Sequence, residues 1–158
     1  MVDIGEKLVQ MLAEMGLTIS TAESCTGGML ASRIIDISGA SDVYSEGFIT
    51  YSNEAKMKYL KVQDKILEEY GAVSKETVLQ MADGCRKETG SDVALVTTGI
   101  AGPGGGTAEK PVGLVYIGCA YKDEVVFREF KFAGDRYDIR RQAVDEAIAM
   151  AVELLENQ

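Results

Sequence analysis

The chain has 158 residues with 16 Lys and Arg against 25 Asp and Glu, a net charge of −9, so it lacks the excess of cations that a broad nucleic-acid-coating face requires. Hydrophobic residues at 46% and charged residues at 26% exclude a disordered tail and a fibrous repeat, and the length suits a single domain over residues 1–158 with a sizeable core. No apolar run reaches the roughly 18 residues that cross a bilayer, and the start MVDIGEKLVQ is acidic where a signal peptide is basic, so a cytoplasmic address and no membrane partner are expected.

In chain order, Ile4, Leu8, Met11, Leu12 and Met15 fall on one helical stripe, and Gly16 is a natural stop. A short strand is predicted over 17–22 and a second helix over 26–37, with Glu23-Ser24-Cys25-Thr26-Gly27-Gly28 turning between them. EGFITY at 46–51 reads as a strand, followed by a helix capped by Ser52 or Asn53. Ser74 is predicted to cap a helix running to Thr89, with Gly90 behind it, and the apolar run at 92–98 reads as a buried parallel strand. Residues 112–121 and 124–131 are strand-like about Lys122-Asp123, a β-hairpin, and a last helix starts near Asp135 or Asp138. Alternating strands and helices closed by a hairpin predict a three-layer α/β/α sandwich around a mostly parallel, mixed sheet. In such folds ligands sit beyond the carboxyl ends of the strands, which points to one cleft shared by the segments after Ala22, Tyr51 and Thr98.

The chain contains no His, so proton transfer near neutral pH falls to Lys, Tyr, a carboxylate or water. Cys25, Cys85 and Cys119 lie far apart with no CxxC, which disfavours a disulfide framework and a zinc site. Ser24 stands at a strand end before a helix whose free N–H groups favour negative charge, where an acyl-transfer nucleophile would profit. On local pattern alone the simpler reading is that Ser24 or Thr26 caps that helix. Cys25 is the rival nucleophile, without an imidazole to activate it. Tyr51 at a strand end and Lys56 in the next helix are the available proton handlers, although surface lysines are usually solvated. A lysine desolvated in a pocket loses its proton near neutral pH and can act as base toward a serine hydroxyl.

The segment 99–113, GIAGPGGGTAEKPVG, holds six of the 17 glycines and both prolines, and closely spaced glycines let backbone N–H groups approach an anion. It lacks the ending of a Walker A loop and the Rossmann spacing; the competing reading is a flexible surface loop. Arg136, Arg140 and Arg141 begin the last helix, either as anion contacts or paired with Asp135, Asp138 and Asp145.

TAESCTGG, GFITYSNEAK, GAVS, TTGIAGPGGGTAEKPVG and GDRYDIRRQA occur in this order across nearly the whole chain, and together they resemble the C-terminal domain of CinA proteins, the PncC family of nicotinamide-nucleotide amidohydrolases. The resemblance implies hydrolysis of the carboxamide of nicotinamide mononucleotide to nicotinic acid mononucleotide and ammonia, a small-molecule nucleotide substrate, and no metal or organic cofactor. On the family's pattern Ser24 matches the nucleophile, Lys56 its activating base and Tyr51 a hydrogen-bonding or proton-relaying partner. Amide groups around Cys25, Thr26, Gly27 and Gly28 would hold the oxyanion. The loop residues Gly102, Gly104, Gly105 and Gly106, with Thr98 and Arg140, would bind the 5′-phosphate or ribose. The resemblance is to the stand-alone form, without the N-terminal domain of the larger CinA proteins. A different class stays open beside it, a catalytically silent nucleotide-binding or regulatory module of the same fold. A homodimer is the expected assembly.

Overall fold

A computed structural model describes residues 2–157. The first helix, α1 (Ile4–Met15), begins where the Asp3 carboxylate accepts the N–H groups of Gly5 and Glu6, and ends at Gly16 in the left-handed conformation, φ 68°. Leu17 donates back to the Leu12 carbonyl at 2.9 Å. Residue 17 therefore closes the helix, and β1 (Ile19–Glu23) starts two residues later than its apolar pattern predicts. Two consecutive glycines at positive φ, Gly27 at 56° and Gly28 at 102°, hold the chain out of helical geometry. For that reason α2 (Met29–Ile35) is shorter than the 26–37 expected.

After a 3-10 turn come β2 (Tyr44–Ile49) and α3 (Asn53–Leu60), the latter capped by Ser52, whose hydroxyl accepts the Ala55 N–H. The next helix, α4 (Asp64–Tyr70), has no counterpart in the sequence reading; it carries no side-chain cap and buries only Leu67, too little periodicity to register. Then follow α5 (Lys75–Thr89), capped by Ser74 and ended by Gly90, and β3 (Val93–Gly99). The hairpin of β4 (Leu114–Tyr121) and β5 (Glu124–Lys131) turns at Lys122-Asp123 as expected. Finally α6 (Arg136–Glu156) opens with a capping box in which both Asp135 and Asp138 take part.

The sheet order is β2-β1-β3-β4-β5. β1 lies parallel to β2 and to β3, β4 is antiparallel to β3, and β5 is antiparallel to β4. Four of the five strands thus share one direction and only β4 opposes it, the mixed sheet with a parallel majority that the alternation implies. Side chains alternate across it: Val93 and Leu95 face the layer of α1, α2 and α6, whereas Ala94 and Val96 face α3, α4 and α5. The carboxyl ends of the adjacent strands β2, β1 and β3 bring Tyr51, Ser24 and the glycine loop to one edge of the sheet. No helix among the described residues is long and apolar enough to cross a membrane.

Close packing of α5 on α3 depends on Gly84, where an added Cβ would lie 1.8 Å from the Leu60 carbonyl oxygen. Backbone cannot rotate away as a side chain does. Gly84→Ala is therefore expected to lower stability by about 2–3 kcal/mol, measured by chemical denaturation. A midpoint unchanged from wild type would show that the two helices separate freely.

Candidate active site

Ser24 follows the last residue of β1, and its N–H donates to the Thr97 carbonyl of β3 at 3.1 Å, fixing it to the sheet. The turn after it closes with the Gly27 N–H on the Ser24 carbonyl at 3.0 Å. The cap reading of this motif does not hold. Gly28 occupies the N-cap of α2 without a side-chain bond, and the helix donors are met by the buried carboxylate of Glu23. Its Oε1 accepts the Leu30 N–H at 2.7 Å and the Thr26 hydroxyl at 2.6 Å, and its Oε2 accepts the Ala31 N–H at 3.1 Å. The Thr26 hydroxyl also lies 2.8 Å from that of Thr97. Ser24 is thereby released from structural duty.

Lys56 lies on the inner face of α3 with Leu60, and only 1% of its surface is exposed. Its Nζ donates to the Thr50 carbonyl at 2.7 Å and to Ser24 Oγ at 3.1 Å. Among the described residues no carboxylate forms an ion pair with it. Burial without a counter-charge pushes its pKa down from 10.5 to about 8. The Cys25 thiol is buried in the core cluster on the side of α1, α2 and α6, and burial pushes its pKa up to about 12, so it stays protonated and Ser24 is the better nucleophile.

Among the described residues Tyr51 makes no hydrogen bond to this pair. Its side chain is 61% exposed, and its hydroxyl accepts a bond from Arg136 Nη2 at 2.9 Å. The same guanidinium donates through Nη1 to the Gly102 carbonyl at 2.6 Å, tying the end of β2 to the glycine loop. Between that loop and the start of α6 opens a cleft of about 580 Å³ lined by Ala101, Pro103, Val112, Gly134, Asp135, Arg136 and Tyr137.

The loop is tied at both ends and at a turn of its own. Ile100 donates to Leu114 and Gly113 to Ile100, while Thr107 and Lys110 close a turn of their own. The Lys110 ammonium reaches across to the Tyr70 carbonyl. Within it Gly104, Gly105 and Gly106 are exposed, and among the described residues their N–H groups meet no protein acceptor. Thr98 is buried, its hydroxyl donating to the Ala72 carbonyl at 2.9 Å, where it holds the α4–α5 connection. Arg140 donates from Nε to the Cys25 carbonyl and from Nη2 to the Thr26 carbonyl, both at 3.0 Å.

The structure thus joins Ser24 to Lys56, and places Tyr51 on Arg136. Sequence reasoning passed over Glu23, whose signal was the one charged side chain in a short strand of small and apolar residues, just before a turn that lacks a cap. It also passed over Arg136 as a bridging residue and Thr50, whose buried hydroxyl has no partner among the described residues.

A family model described as the CinA C-terminal domain matches residues 2–155. A putative competence-damage inducible protein of Clostridium novyi is 53% identical over 147 residues, covering 93% of this chain and 36% of that protein. A CinA-like protein of Kosmotoga olearia is 52% identical over 138 residues, covering 87% of this chain and 34% of its own length. The chain spans about a third of the length of these curated relatives. Among solved structures, a competence/damage inducible protein from Agrobacterium tumefaciens superposes with a TM-score of 0.93 at 42% identity, covering 100% of this chain and 98% of that one. A CinA superfamily protein from Klebsiella pneumoniae gives 0.94 at 32% identity, covering 98% and 97%.

Proposed function

The chain belongs to the CinA C-terminal domain family, and from that premise we propose that it is a serine amidohydrolase that converts nicotinamide mononucleotide to nicotinic acid mononucleotide and ammonia. The observation that carries this reading is the 3.1 Å contact between Ser24 Oγ and a buried lysine amine whose pKa is lowered to about 8. Once neutral, Lys56 keeps an N–H on the Thr50 carbonyl and turns its lone pair to the Ser24 hydroxyl. As Ser24 Oγ bonds to the carboxamide carbon, its proton passes to Lys56 and the carbonyl oxygen becomes an oxyanion beside the turn 25–28. Collapse breaks the C–N bond, Lys56 returns the proton to the leaving nitrogen, and ammonia departs. Water then attacks the ester, giving a proton to Lys56, which passes it to Ser24 Oγ as the C–O bond breaks; the acid product loses its own proton to solvent and departs as the carboxylate.

Nucleotide rather than free nicotinamide is favoured by the unpaired N–H groups of Gly104, Gly105 and Gly106 and by Arg136 at the cleft, donors suited to phosphate. Tyr51, held by Arg136, is assigned to the cleft rather than to proton transfer from Ser24. The test is ammonia release by the purified chain from nicotinamide, its riboside and its mononucleotide. Preference for the mononucleotide is the expected result. Tight nucleotide binding with no ammonia from any of the three would instead identify a binding module.

The lysine sets a pH dependence. Since only the neutral amine is a base, kcat/KM should rise about tenfold per pH unit below about 8 and level off above it. A flat profile across that range would remove Lys56 from the base role.

A further inference from the structure

We infer that Arg140 is a positioning residue that aims and polarises the Thr26 amide, an oxyanion donor beside Ser24, an assignment that rests on the amidohydrolase reading above. The guanidinium grips two consecutive carbonyls, those of Cys25 and Thr26, with Nε and Nη2, which form one edge of the fork. That edge is the one that would match two oxygens of a phosphate, and here the protein's own backbone fills it. In a trans peptide the N–H points opposite to the C=O. Drawing the Cys25 carbonyl to Arg140 therefore turns the Thr26 N–H to the other side of the turn. Among the described residues the N–H of Thr26 has no protein acceptor, whereas that of Gly27 is taken by the Ser24 carbonyl.

Charge points the same way. Glu23 buries a carboxylate one residue before the nucleophile, and a developing oxyanion nearby would be repelled by it. Among the described residues neither Glu23 nor Arg140 forms an ion pair; they act on the same turn, the anion through Thr26 and the start of α2, the cation through two carbonyls. A cation on a peptide oxygen withdraws density and strengthens the N–H donor of that peptide. Gly27 fits this clamp, since its Cβ position lies 3.4 Å from Arg140 Nη2 and its φ is +56°.

The experiment pairs two substrates with one adduct-forming probe, using Arg140→Met and Arg140→Lys. On the mononucleotide and the riboside alike, Arg140→Met is expected to lower kcat by about 10- to 100-fold, with the preference for the mononucleotide unchanged. Arg140→Lys should restore little, because a point charge cannot hold both carbonyls. Pyridine-3-boronic acid, which becomes tetrahedral on a serine oxygen, should bind the Met variant more weakly by a similar factor, while nicotinic acid mononucleotide binds as before. Loss of the mononucleotide preference with kcat on the riboside intact would make Arg140 a phosphate ligand and overturn the inference. So would a fall in kcat with boronate affinity unchanged. Should wild type release no ammonia from either substrate, the amidohydrolase reading fails by itself, and the boronate comparison still decides the role of Arg140.

Discussion

Ser24→Ala is expected to lower ammonia release from nicotinamide mononucleotide by at least about 10³-fold while leaving the unfolding midpoint close to that of wild type. The first half follows from the covalent route: without Oγ there is no ester, and water must attack a stable amide directly. The second half follows from the local architecture. The Ser24 side chain caps nothing, because Glu23 satisfies the start of α2, and among the described residues its one side-chain bond is to Lys56. Nucleotide affinity should persist, since the glycine loop and Arg136 are untouched. Undiminished turnover in this variant would defeat the serine mechanism.

Lys56→Met should be as damaging to activity, again at least about 10³-fold, and Ser24→Ala/Lys56→Met should be little worse than either single change, as groups that act as a unit are not additive. Stability should move the other way. A lysine with a folded pKa near 8 and an unfolded pKa near 10.5 binds fewer protons when folded between those values. Stability therefore rises with pH through that window, and below about 8 the charged amine carries its full desolvation cost. That cost is on the order of 3 kcal/mol from the shift, offset in part by the bonds to Thr50 and Ser24, each worth about 1 kcal/mol. At neutral pH the Met variant should unfold at or above the wild-type midpoint, and the difference should shrink toward about pH 10. A strongly destabilised Met variant would mean that the ammonium is structural.

Elements with strong local signals were legible in the sequence. The stripe of α1 with its Gly16 stop, the caps at Ser52 and Ser74, the apolar run of β3 and the two-residue hairpin turn each encode structure within a few residues. Boundaries that depend on backbone shape slipped: Leu17 belongs to the closure of α1, and Gly27 and Gly28 delay α2. Helix α4 escaped because one buried leucine makes no pattern.

For the site, the family resemblance of the ordered motifs pointed to Ser24 and Lys56, but nothing local distinguishes Lys56 from the solvated lysines at 58 and 61. Its inward direction is set by the packing of α3 on α5. Long-range partners such as Arg136 with Tyr51, 85 positions apart, and Arg140 with Cys25, 115 apart, exist only after the sheet brings β1, β2 and the start of α6 to one edge.

The proposed catalyst is an uncharged amine beside a serine hydroxyl, so the most direct measurement is the ionisation of Lys56 itself. Side-chain NMR of protein labelled with ¹³C at lysine Cε, with the resonance assigned by its loss in Lys56→Met, should show this lysine titrating near 8, in step with kcat/KM. A Lys56 resonance that titrates with the solvated lysines, near 10.4, would contradict it.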